Sequence, residues 1–236
     1  MDKRMPRQQE PTVYDLAYRG KTAAVKILLN ENQKLKSETD ENKRMLIHWA
    51  ALGGHEDLVT YLLSNGFPVD PQDDMSMTPL ILASSGGRKN VVKILLKEGA
   101  NVNAKTEDGH SSIQYAASKN WVEICETLIK NGANINITDI RGATPLHRAA
   151  SKGNINVVKL LLEQEKDLKI NAKDVYGNTA LHLACEENRQ DEAKLLVTNG
   201  ADILSENKEK KTPLDLASLG LVRQLKEIQK KTESTE

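Results

Sequence analysis

The stretch "INVVKLLLE" (155–163) puts Ile155, Val158, Leu161 and Leu162 at helical spacing, with Asn156, Lys159 and Glu163 on the opposite side. An apolar stripe of that period predicts an amphipathic helix that needs a neighbour to cover it. The phrase before it, "TPLHRAA" (144–150), reads as a second, shorter helix. Thr144 offers an N-cap hydroxyl, and Pro145 takes the first helical position, where its missing N–H removes nothing. Leu146 and Ala149 then face inward, the small alanine allowing close helix approach. Gly66, Gly99, Gly132 and Gly200 each follow a helix of the longer kind, where a left-handed residue ends it. Between helix pairs, "NAKTEDGH" (103–110) carries Asp108-Gly109, a tight-turn signal that predicts a β-hairpin loop.

The pattern repeats. The sixth residue of the phrase recurs as Ala17, Ala50, Ala83, Ala116, Ala149, Ala184 and Ala217, a step of 33 residues each time except for 35 between Ala149 and Ala184. No single helix pair can bury its stripe alone, so the prediction is an all-α repeat solenoid of seven stacked units in a curved array. The phrases "TPLILAS" (78–84), "TPLHRAA" (144–150), "TALHLAC" (179–185) and "TPLDLAS" (212–218) resemble the ankyrin repeat. A single domain is expected over 12–230, with repeats at about 12–39, 40–72, 73–105, 106–138, 139–173, 174–206 and 207–230. A flexible N-terminus (1–11) and a disordered tail (231–236) flank it. The two extra residues near Lys166 fall in a helix-to-hairpin loop, where length changes are tolerated.

Composition narrows the function. Lys plus Arg and Asp plus Glu both number 33, so the formal net charge is zero, and aromatics make up 3%. Neither a counterion-releasing basic excess nor base-stacking platforms are available, which argues against nucleic acid as a partner. The opening "MDKRMPRQQEP" lacks the apolar run of a signal peptide, and no segment approaches a membrane span. A soluble intracellular protein is expected, monomeric, cytoplasmic and nuclear. Cys125 and Cys185 are isolated and fit a reducing compartment as small buried residues. No phosphate loop, dinucleotide fingerprint or HExxH occurs, so neither enzyme activity, cofactor nor metal is expected. His48, His147 and His182 share the fourth place of the phrase, where an imidazole can bridge backbone groups of adjacent repeats. His55 and His110 are expected to face solvent.

One segment reads two ways. In "LHLACEE" (181–187), Leu183-x-Cys185-x-Glu187 has the spacing of an extended retinoblastoma-binding peptide, yet the same residues fall in the first helix of repeat 6. The helical reading is favoured, because extended presentation requires unfolding that helix and its packing, at roughly several kcal/mol.

A partner is expected on the concave face, which hairpin tips and the exposed ends of first helices build. Projection of the repeat gives Arg44, Met75, Met77, Glu107, His110, Lys119, Arg141, Lys152, Tyr176, Glu186 and Glu187. The strip is basic first and acidic afterwards, suiting a partner with the opposite order of charge.

Longer phrases resemble a narrower family. "IHWAALGGHEDLV" (47–59), "HRAASKGN" (147–154), "GNTALHLACEENRQDEAKLLVTNGADI" (177–203) and "ENKEKKTPL" (206–214), with non-consensus Trp49 and Arg148, are similar to the gankyrin-like proteins associated with the 26S proteasome. The resemblance implies a non-enzymatic assembly chaperone that holds the C-terminal domain of one base AAA-type ATPase subunit. It implies that Arg44 and Lys119 meet acidic groups on that domain, and that Leu183, Cys185 and Glu187 form a retinoblastoma motif. A cyclin-dependent kinase and a p53-directed ubiquitin ligase are further partners it implies, which makes a cell-cycle regulator the alternative. Ile81 and Gln114, where histidine is usual, and the insertion near Lys166 mark a divergent member.

Overall fold

The computed structural model describes residues 11–164 and 166–233. The expected flexible segment therefore lies outside the described residues except for Pro11, as do Glu165 in the insertion and residues 234–236 of the expected tail. The chain divides into two compact units, Met1–Ala100 and Asn101–Glu236.

In the first unit, α1 (Val13–Tyr18) pairs with α2 (Thr22–Glu31), α3 (Leu46–Gly53) with α4 (Glu56–Ser64), and α5 (Pro79–Ser85) with α6 (Lys89–Lys97). First helices pack on first helices, α1 on α3 and α3 on α5, and α4 packs on α6. Ala17, Ala50 and Ala83 are fully buried at these contacts, as the close approach requires. Leu58, Leu62, Leu80 and Leu95 are equally inaccessible, each contributing about 1.5–3 kcal/mol of apolar burial.

The second unit repeats the design with α7 (Ser112–Ser118), α8 (Val122–Lys130), α9 (Pro145–Lys152), α10 (Ile155–Leu162), α11 (Ala180–Glu186), α12 (Gln190–Thr198), α13 (Pro213–Leu216) and α14 (Leu219–Glu233). The short helices α7, α9, α11 and α13 form one layer, and α8, α10, α12 and α14 the other. Thr144, Thr179 and Thr212 accept the backbone N–H three residues on, and Pro145 and Pro213 open their helices. Each such cap stabilises its helix by about 1 kcal/mol.

Three expectations need correction. α14 runs to Glu233, so residues 231–233 continue a helix instead of beginning a disordered tail. Ala217 is half-buried in extended backbone, because α13 stops after one turn at Leu216. The inter-repeat loops contain no strands among the described residues; the loop at 105–111 closes on a single antiparallel bridge between Lys105 and Ser111.

Candidate protein-binding surface

The loops that precede the first helices share one chemical plan. An aspartate opens four of them, and its Oδ1 accepts two backbone N–H groups further along; Thr106 and Asn207 hold the same place before α7 and α13. Asp40 takes those of Asn42 and Arg44 at 2.9 and 2.8 Å, and Asp73 those of Met75 and Met77 at 2.9 and 2.7 Å. In the second unit Asp139 takes those of Arg141 and Ala143 at 2.8 and 3.0 Å, and Asp174 those of Tyr176 and Asn178 at 2.9 and 2.8 Å. Each loop then turns through a residue of positive φ, namely Lys43, Ser76, Gly142 and Gly177. Neighbouring loops join by backbone bonds, Asp74 N–H to Asn42 C=O in the first unit. In the second, the N–H groups of Ile140, Val175 and Lys208 donate to the carbonyls of Asp108, Arg141 and Tyr176.

Histidines fasten the loops to the helices. In His147 the Nδ1 accepts from Thr144 N–H at 3.2 Å while Nε2–H donates to the Asn178 carbonyl at 3.0 Å. His182 links Thr179 to Lys211 in the same way, and His48 links Met45 to Pro71 and Met77. A ring nitrogen that accepts from a backbone N–H has no room for a proton, so these rings are neutral. Burial lowers the pKa of all three, against smaller upward pulls from the carbonyls that they contact. Gln114 performs the same task without titrating: Oε1 accepts from Ser111 N–H at 3.0 Å and Nε2 donates to the Ala143 carbonyl at 2.7 Å.

Two of the expected surface groups are engaged internally. Arg44 Nε donates to the buried Asp73 carboxylate at 2.8 Å, and its guanidinium lies 5.2 Å over the Trp49 ring. It is thus a half-buried structural cation and not the free basic group expected. His110 is half-buried and not solvent-facing, since Arg148 Nη2 donates to its Nε2 at 3.0 Å and also to Asp139. Burial first, and the Arg148 charge next, lower the His110 pKa. Asp139 loses solvation, yet the Arg148 bond and the two loop N–H groups bring its pKa below the ordinary carboxylate value. His55 likewise departs from expectation by contacting the Tyr18 carbonyl through Nε2 at 2.7 Å.

The remaining expected residues are accessible. Met75 is exposed and Met77 half-buried in the first unit. Glu107, Lys119, Arg141, Lys152, Tyr176, Glu186 and Glu187 are exposed in the second. Lys119, Arg141 and Lys152 have no ion-pair partner among the described residues. The sequence reading missed Ile140 and Val175, which hold the same place in adjacent loops and are 66% and 43% exposed, beside Tyr176 at 58%. Their position one residue after Asp139 and Asp174 is the signal that identifies them.

Leu183, Cys185 and Glu187 do not form an extended peptide. α11 includes the first two, Leu183 is half-buried, and Cys185 is 1% exposed with its thiol pKa pushed up to about 12 by burial. Only Glu187 is open to solvent. No group of three or more His, Cys, Asp or Glu able to hold a metal occurs among the described residues, and no helix there is long and apolar enough to cross a membrane.

Comparison with known families agrees with this geometry. A model of ankyrin repeats in three copies matches residues 14–106 and 103–174, and one of many copies matches 161–217. The chain belongs to the ankyrin-repeat family. Among solved ankyrin-repeat structures, the human ASB11 ankyrin repeat domain superposes with a TM-score of 0.81 at 27% identity, covering 93% of this chain and 98% of that one. The ankyrin repeat domain of Bcl-3, of the IkappaB family, gives 0.78 at 25% identity, covering 93% and 99%. The human 26S proteasome non-ATPase regulatory subunit 10, gankyrin, is 45% identical over 67 residues, which span 28% of this chain and 30% of that protein. The rat protein is also 45% identical over 67 residues, spanning 29% of its length. As an ankyrin-repeat protein with partial similarity to gankyrin, the chain is a protein-binding scaffold.

Proposed function

We propose that this chain is a non-enzymatic, gankyrin-like assembly chaperone of the 26S proteasome regulatory particle, acting in the cytoplasm and nucleus by holding the C-terminal domain of a base ATPase subunit. The observation that carries the reading is the set of three uncommitted cations, Lys119, Arg141 and Lys152, with the acidic Glu186 and Glu187 in the repeat that follows Arg141 and Lys152 in the same unit. Fixed charges of this kind steer and register an oppositely patterned partner. Ile140, Val175 and Tyr176 supply exposed apolar contacts beside them. Arg44 stays outside the contact set, because Asp73 already neutralises it.

The test is calorimetric titration of the triple variant Lys119→Glu, Arg141→Glu, Lys152→Glu with the purified C-terminal domain of each base ATPase. At about 0.5–1 kcal/mol per exposed charge the reading requires a loss of about 10–100-fold in affinity for one ATPase. The unfolding midpoint should stay unchanged, since all three side chains are exposed. Unaltered affinity, or no binding of any base ATPase domain by the unsubstituted protein, would overturn the proposal.

A further inference from the structure

The first unit contains a groove of about 470 Å³ at its N-terminal end, walled by Tyr14, Tyr18 and Trp49 and edged by Asp15, Asp40 and Glu41. The chain has two Trp, five Tyr and one Phe, so a large share of its aromatic surface meets here. Tyr18 and Trp49 stand edge to face at 6.0 Å and 82°. The half-buried Trp49 is oriented by its indole N–H, which donates to Asp40 Oδ2 at 2.8 Å. One face of that ring already accepts a cation, the Arg44 guanidinium, whose charge Asp73 offsets.

Electron-rich rings beside carboxylates attract cations and repel anions. Burial first, and the Asp40 and Glu38 charges after it, raise the Tyr14 pKa. The kind of cation follows from what the carboxylates have left to give. Asp40 spends Oδ1 on two backbone N–H groups and Oδ2 on Trp49. Asp15 Oδ2 accepts from both the backbone and the hydroxyl of Thr12. Glu41 is exposed at the rim and is open to water. A primary ammonium would bring three N–H donors to the aromatic wall, where both Asp40 oxygens are already occupied, whereas a methylated ammonium brings charge with apolar surface and needs few or none.

We propose that this groove binds the methylated ammonium of an N-methylated lysine on a partner polypeptide, held between Tyr14, Tyr18 and Trp49 in the field of Asp15, Asp40 and Glu41. The groove is built from residues of the first unit alone and the proposed ATPase contact from cations of the second, so each can fail without the other.

The test follows the indole N–H resonance of Trp49 in the full chain during titration. The probes are tetramethylammonium chloride against a sodium chloride control, a short peptide carrying trimethyllysine, and the same peptide with unmodified lysine. Saturable shifts are expected with both methylated probes, with the unmodified peptide at least about tenfold weaker. Tyr18→Ala and Glu41→Lys should each weaken the trimethyllysine peptide several-fold; Glu41 is exposed, so its variant keeps the wild-type unfolding midpoint. The proposal is overturned if neither methylated probe gives a saturable shift, if both peptides bind equally, or if the Glu41→Lys protein binds like wild type.

Discussion

Replacing His147 tests whether the buried rings act as hydrogen-bonded fasteners or as space-filling. His147→Leu keeps most of the volume but removes the acceptor of Thr144 N–H and the donor to the Asn178 carbonyl. Thr144 N–H is then orphaned, at about 1–3 kcal/mol, while the Asn178 carbonyl keeps the Asp174 N–H and loses a second bond worth about 0.5–1.5 kcal/mol, so the expected loss is about 2–4 kcal/mol. His147→Gln should lose less than about 1 kcal/mol, because Gln114 makes the equivalent pair of bonds at 3.0 and 2.7 Å one repeat earlier. Urea unfolding followed by circular dichroism, with the slope checked for constancy, measures both variants. If the leucine variant is within about 1 kcal/mol of wild type, or the glutamine variant is as weak as the leucine one, the fastener argument is wrong.

The lowered pKa of His48, His147 and His182 sets a pH dependence: their unfolded forms take up protons as the pH falls through about 6.5, while the folded rings do not. Stability should be level above about pH 7 and decline below about 6.5, and urea midpoints that stay constant from pH 8 to about pH 5 would contradict this. Gly109→Ala should destabilise by at least about 1–2 kcal/mol in the same assay, because φ is +76° and a Cβ there would stand 2.8 Å from Ile140 N. Its counterpart Ser76 has a φ of 57° with a side chain already in place, so Ser76→Gly should be neutral or stabilising. Cys125 and Cys185, both with thiol pKa values raised to about 12 by burial, should react with iodoacetamide at pH 8 only at the rate of unfolding. Rapid labelling of either in the folded protein would contradict their placement.

The alanine period revealed the architecture because a buried close contact between first helices admits one small residue, and that demand recurs at Ala17, Ala50, Ala83, Ala116, Ala149 and Ala184. It misleads only at Ala217, where the final short helix ends. The bridging histidines were legible for the same reason: one place, one task. Gln114 looked like divergence but is a substitution by a side chain with the same donor and acceptor reach. The charged surface was harder to read, because whether a cation is free depends on what another repeat brings to it. Arg44 and Asp73 are 29 residues apart, and only the fold brings them together. The loop aspartates Asp40, Asp73, Asp139 and Asp174 follow the alanine period and are legible in the sequence by that spacing.

The 35-residue step has an instructive outcome. Despite its two additional residues, Asp174 still gathers the Tyr176 and Asn178 amides, and Val175 still meets the Arg141 carbonyl at 2.9 Å. Each fastening reaches one neighbour and no further, so extra length is absorbed where it enters and the next repeat resumes its register. A chain joined this way can lengthen by duplication or take up an insert in one loop without renegotiating the rest, which leaves its recognition surface open to change one module at a time.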